Sequence, residues 1–272
     1  MTRTHSTNSE LLELNRAGTA LSALRRPGKG APVLIVPGVM ADAATWRPVV
    51  DSIDLPNPVV TVNRRGRVPS GPLGSDYSVR VEVDDLRHVI ASLGGRVHLF
   101  GWSYGALIAL ETALDHDGIL SLTAYEPVSR PFGQDAVALL RDAIAANDLD
   151  RAVELVNTVV SGFSADHVAE LRRSPVWPIL LPLAQPLAEE LAAITDYEPA
   201  LSRYRRIAVP TTLILGALNE GHPPYGTAFP PFAAALPQAA IVRLPGQGHL
   251  AHAQAPQDLA RAITDAVKRV GG

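Results

Sequence analysis

The 272-residue chain has no cysteine. A disulfide framework, a thiolate metal site and a cysteine nucleophile are excluded together. Lysine is nearly missing too, with Lys29 and Lys268 standing against 22 arginines in a sequence rich in alanine, proline and glycine. That imbalance reads as coding bias and not as arginine chemistry. The 24 basic and 27 acidic residues are well mixed, leaving a net charge of −3. With no basic tract or stripe, neither nucleic acid nor an anionic membrane is indicated as a partner. No apolar run approaches the roughly 18 residues of a membrane span. The polar start MTRTHSTNSE lacks the apolar stretch of about 7–15 residues that marks a secretion signal. A cytoplasmic protein is expected. No metal-ligand cluster, G-x-G-x-x-G or phosphate loop is visible, so no cofactor and no metal are expected.

What is present is core: 47% of the residues are hydrophobic, enough to bury a large interior. Short β-branched runs bounded by turn residues read as buried strands: PVLIV at 32–36, PVVTV at 58–62, VHLF at 97–100, LSLTAYEP at 120–127, TTLILGA at 211–217 and AIVRLP at 240–245. Helical spacing lies between several of them, in VEVDDLRHVIASL, ALIALETAL and DLARAITDAVKRV. Alternating strands and helices predict an α/β fold, a mostly parallel sheet with helices on both faces. From 128 to 206 the rhythm changes to helical patterns broken by prolines, which predicts a helical cap inserted over one end of the sheet. The expected layout is a flexible N-terminus over 1–10, a core formed by 11–127 and 207–272, and the cap at 128–206.

The string Gly101-Trp102-Ser103-Tyr104-Gly105 fits G-x-S-x-G, and it stands directly between a strand and a helix. In that setting the serine sits at the tip of a tight turn, and the flanking glycines let strand and helix approach. A serine hydroxyl needs a base. Of eight histidines, His249 in PGQGHLAH follows the last strand and shares the sheet edge of Ser103, with His252 as its rival. The imidazole in turn needs a carboxylate from another strand end on that edge. The loop after TTLILGA offers Asn219, which cannot stabilise an imidazolium as a carboxylate can, and Glu220. The stretch AYEP offers Glu126, the preferred candidate. An oxyanion would need two backbone donors. Tyr104, directly after the serine, supplies one; Val39 supplies the other, with Met40 as its alternative. Met40, Trp102 and Trp177 are candidate pocket residues.

These residues resemble the α/β-hydrolase family, from about Pro32 to the end of the chain. More narrowly, PGVMADAATW, NRRGRVPSG, GWSYGAL, AYEP, VAELRRSPVWP and PGQGHLAHAQAP are similar to a group of capped serine hydrolases common in actinobacteria. The resemblance implies that the cap follows the family's sixth strand, and that the carboxylate there replaces the usual one after the seventh. Three positions depart from the pattern: Trp102 where histidine is frequent, Asn63 in place of aspartate, and a long proline-rich loop at 217–231. The implied activity is hydrolysis of an ester, thioester or lactone of a small apolar molecule through an acyl-enzyme. A cofactor-free cyclase, isomerase or lyase on the same pocket, and a non-catalytic small-molecule binder, are the alternatives. A homodimer is compatible with the sequence, but no feature compels it.

Overall fold

The computed structural model describes residues 9–270. It opens with a hairpin that the sequence reading did not contain. Strands β1 (Glu10–Arg16) and β2 (Thr19–Arg26) pair antiparallel across Ala17-Gly18, whose φ angles are 52° and 80°. A two-residue turn with both φ positive matches the twist of the strands it joins. The expected flexible segment 1–10 is corrected at its end, because Glu10 already pairs with Arg25; its residues 1–8 lie outside the described residues. The signal was obscured because Leu11 and Leu12 break the alternation and Ala-Gly is not a strong turn pair.

The expected strands follow as β3 (Val33–Val36), β4 (Val59–Asn63), β5 (Val97–Trp102), β6 (Ile119–Tyr125), β7 (Thr211–Gly216) and β8 (Ala240–Leu244). All eight form one sheet in the order β1-β2-β4-β3-β5-β6-β7-β8. Pairing is parallel from β4 through β8, while β1–β2 and β2–β4 pair antiparallel, so β2 alone runs against the other strands. The inner strands β3, β5 and β7 are buried at every position. Coverage on both faces explains why they read as continuous apolar runs.

Helices α1 (Arg47–Ser52), α2 (Val79–Ser92) and α3 (Tyr104–Ala113) lie between the first strands. Ser78 caps α2, its Oγ accepting the Val81 N–H at 3.4 Å. Val79, Val83, Leu86 and Ile90 form the buried stripe of α2. Between β6 and β7 comes an insertion of α4 (Val137–Ala145), α5 (Leu149–Leu155), α6 (Ala165–Arg173), α7 (Trp177–Ala184) and α8 (Leu187–Asp196). No strand occurs there among the described residues. Two of its prolines mark helix starts, Pro178 in the first turn of α7 and Pro186 immediately before α8. Helices α9 (Tyr225–Ala235), α10 (Ala251–Gln254) and α11 (Pro256–Lys268) complete the chain. One apolar cluster joins α1 and α11 to the sheet through Trp46, Val49, Phe100, Trp102, Leu259 and Ile263. A second joins α2, α3 and the insertion to the sheet. The arrangement is the expected α/β one.

Candidate active site

Strand β5 ends at Trp102 and α3 begins at Tyr104, so Ser103 alone makes the turn. Its backbone is held at φ 57°, ψ −119°, far from any region favoured by a residue with a side chain. Such a conformation costs on the order of 1–3 kcal/mol and persists only where its surroundings enforce it. The glycines on either side permit the turn. A Cβ on Gly105 would stand 2.1 Å from the Val36 carbonyl oxygen, and one on Gly101 would stand 2.3 Å from that of Gly105. The Ser103 N–H is tied to the Tyr125 carbonyl at 2.9 Å, and the residue is buried.

His249 lies in the loop after β8, and side chains from the sheet anchor that loop. Trp102 Nε1 donates to the His249 carbonyl at 2.9 Å, and the Tyr125 hydroxyl donates to the Gly248 carbonyl. Trp102, offered as a pocket residue, is therefore packed beneath the histidine loop, with its ring 4.9 Å from the imidazole. Tyr225 at the start of α9 stacks on the imidazole at 3.5 Å and 9°. Burial lowers the His249 pKa from its ordinary value, and the hydrogen bond and charge of Glu126 act in the opposite direction.

Glu126 directly follows β6, at φ 43°, and is fully buried. Its Oε2 lies 2.6 Å from His249 Nδ1. Its Oε1 accepts the Gly216 N–H at 2.8 Å, and Asn219 Nδ2 donates to both oxygens at 2.9 and 3.0 Å. An ionised carboxylate only accepts, so His249 carries its proton on Nδ1 and leaves the Nε2 lone pair free. Glu220 is elsewhere: exposed, and bound to Arg243 at 2.7 Å. His252 is buried against Trp46 and Trp102, its ring 5.2 and 4.2 Å from theirs. Burial, with the neighbouring His249, pushes its pKa down to about 3. His98 is in β5, hydrogen-bonded to Ser121.

Gly38 lies close against the serine, since a Cβ there would come within 2.8 Å of Ser103 Cβ. Beyond it Val39 is buried and Met40 adopts φ 57°. The carbonyls of Pro37 and Gly38 are held by Arg64, from Nε at 2.9 Å and from Nη2 at 2.8 Å. A trans peptide sets N–H opposite C=O, so the Val39 N–H points away from Arg64. Asn63 accepts the Ala43 N–H at 2.9 Å and donates to Ser22 at 2.9 Å, tethering the same loop. Trp177 is committed to the insertion: its Nε1 donates to Asp150 at 2.8 Å and Arg172 lies over its ring at 4.8 Å. Sequence reasoning missed Tyr225 as a neighbour of His249. It considered Asn219 only as a poor acid, although an amide with two N–H groups is well suited to hold a carboxylate.

A strained serine between strand and helix, with a histidine–carboxylate pair following two parallel strands of the same sheet, defines a class of protein. Residues 33–262 match the model of the Alpha/beta hydrolase family, and the chain belongs to that family. Its particular relatives are more varied. It is 25% identical over 285 residues to polyketide synthase ThaQ of Burkholderia thailandensis, an alignment covering 96% of this chain and 13% of that protein. It is 34% identical over 113 residues to N-formylmaleamate deformylase of Pseudomonas putida, covering 40% of this chain and 42% of that one. The chain thus spans well under two thirds of the length of these curated relatives. A solved alpha/beta hydrolase from Sphaerobacter thermophilus superimposes with a TM-score of 0.80 at 28% identity, covering 94% of this chain and all of the other.

Proposed function

We propose that this protein is a serine hydrolase cleaving a carboxylic ester, thioester or lactone of a small apolar molecule through an acyl-enzyme. The observation that carries the reading is the Glu126–His249 pair, held at 2.6 Å with the carboxylate fastened by Asn219 and Gly216. Ser103 Oγ attacks the carbonyl carbon while His249 Nε2 takes its proton. The imidazolium that forms is stabilised by Glu126. The tetrahedral oxyanion is bound by the N–H groups of Val39 and Tyr104, donors typically worth about 10²–10³ in rate each. His249 then protonates the leaving group, and a water activated by the same histidine releases the acid. Residues 128–206 act as the cap over the pocket, with Met40 and Trp177 toward its apolar lining and Trp102 beneath the histidine loop. The protein works without a cofactor or metal, on a small-molecule substrate, in the cytoplasm. Among the described residues no helix is long and apolar enough to cross a membrane.

The likeness to part of a polyketide synthase favours an acyl chain of polyketide type as substrate. It also favours the second reading, a cyclisation or lyase reaction in natural-product biosynthesis using the same pocket. Intact-mass analysis with a fluorophosphonate, joined to turnover of nitrophenyl esters, acyl thioesters and lactones, separates the two. The wild type should gain one label and turn over at least one of these substrates, and Ser103→Ala should do neither. A folded wild type that neither labels nor hydrolyses would overturn the hydrolase reading and bring the second forward.

A further inference from the structure

Beside the site lies a cluster of buried charges that the proposed reaction does not consume. Arg64 and Arg67 come from the turn after β4, Glu82 from α2, and Glu190 from α8 of the insertion; all four are buried. Glu190 places one oxygen on each arginine, Oε1 2.5 Å from Arg64 Nη2 and Oε2 2.7 Å from Arg67 Nη2. Glu82 takes Arg64 Nη1 at 2.8 Å. Both arginines also donate to the loop after β3: Arg64 to the Pro37 and Gly38 carbonyls, and Arg67 Nε to the Ala41 carbonyl at 3.2 Å. Each guanidinium therefore bridges the insertion and the loop that carries Val39, and in Arg64 the single Nη2 holds both Glu190 and the Gly38 carbonyl.

Buried ion clusters are a poor source of net stability, because desolvation offsets most of the attraction. What this one supplies is direction. The planar fork of arginine fixes several acceptors relative to one another. With Gly38 C=O pinned on Arg64, the Val39 N–H is turned to the opposite side.

We propose that Glu190 is a positioning residue: it holds Arg64 and Arg67 so that the Val39 N–H faces the developing oxyanion, and the hole is complete only when the insertion is seated. The proposal rests on the hydrolase reading above. Glu190→Gln keeps the shape but removes the charge shared by the two arginines. Its kcat on an ester should fall about 10–100-fold with KM changed less than about twofold, since the lost interaction serves the transition state. Glu189→Gln, which loses only the exposed pair with Arg141 on the same helix, should leave both unchanged. Hydrogen–deuterium exchange over 38–46 gives a readout independent of turnover. There the Asp42, Ala43 and Thr45 amides are bonded to side chains, and they should exchange faster in Glu190→Gln than in Glu189→Gln. If Glu190→Gln does not fold, Arg67→Lys tests the same link, because a lysine cannot hold Glu190 and the Ala41 carbonyl together. Unchanged exchange, a rise in KM alone, or a lower Tm with intact kcat would each overturn the proposal. A wild type inert toward every ester with exchange still coupled to Glu190 would instead remove the hydrolase reading and leave the coupling standing.

Discussion

Replacing Glu126 with glutamine changes one charge and almost no volume, and the surroundings of that carboxylate dictate the result. Every partner it has is a donor: the Gly216 N–H, the Asn219 amide and His249 Nδ1. A glutamine has one acceptor oxygen and one NH₂. Asn219 faces both positions, so the choice lies between Gly216 and His249. A backbone N–H can only donate, whereas a neutral imidazole can move its proton and accept. Leaving a buried donor unsatisfied costs about 1–3 kcal/mol, so the oxygen should stay on Gly216. The side chain should therefore settle with its NH₂ on His249 Nδ1. That forces the imidazole proton onto Nε2, the atom needed as base. In serine proteases the same exchange lowers kcat by about 10⁴. A loss of about 10³–10⁴ is expected here, or about 4–5.5 kcal/mol of activation free energy. The variant should also move the acid limb of kcat/KM to lower pH, because Glu126 opposes the lowering of the His249 pKa by burial. Steady-state hydrolysis of a chromogenic ester between pH 5 and 9, beside thermal denaturation, measures both. A loss under tenfold with an unmoved limb, or an equal loss in Glu220→Gln, would refute the reasoning.

Tyr225→Phe should cost only a few-fold in kcat/KM, since it loses one hydroxyl contact to Ser161 and keeps the stack. Tyr225→Ala uncovers one face of His249 and should cost about 10–100-fold; equal effects from the two would show that the ring does not hold the imidazole. His252 has a folded pKa of about 3 against an ordinary value of 6.5. Between those values only the unfolded chain takes up the proton. The stability this buried neutral ring contributes is therefore whole above about pH 6.5 and declines by up to about 1.4 kcal/mol per pH unit below it. Urea denaturation at several pH values between 7 and 4 should show a shallower decline in His252→Phe, and an unchanged slope would contradict this.

The strands β3, β5 and β7 were legible because each is buried at every position and so reads as a largely apolar run. The serine was legible because a two-glycine motif fell at a strand–helix junction. The hairpin of β1 and β2 was not, because an edge strand with Leu11 exposed needs no regular alternation. Glu190 was invisible for a different reason. It reaches Arg64 across 126 positions, and nothing local distinguishes it from its exposed neighbour Glu189. Only the docking of α8 separates the two. For Trp177 the sequence could not show the partner of its N–H, Asp150 in α5 of the insertion.

The Glu126 carboxylate also pins the point from which the insertion departs. Glu126 follows β6, Gly216 ends β7, Asn219 lies in the turn beyond it, and the Glu126 N–H is itself bonded to the Ile214 carbonyl. The insertion returns at the other end of β7, at Thr211, because the two strands are parallel. None of the groups that hold Glu126 belongs to the insertion, so it can be exchanged, in evolution or by design, without disturbing the acid and base at its foot. One condition limits the exchange: any replacement must return a carboxylate to the place of Glu190, or the two arginines beneath it are left buried without their shared counter-charge.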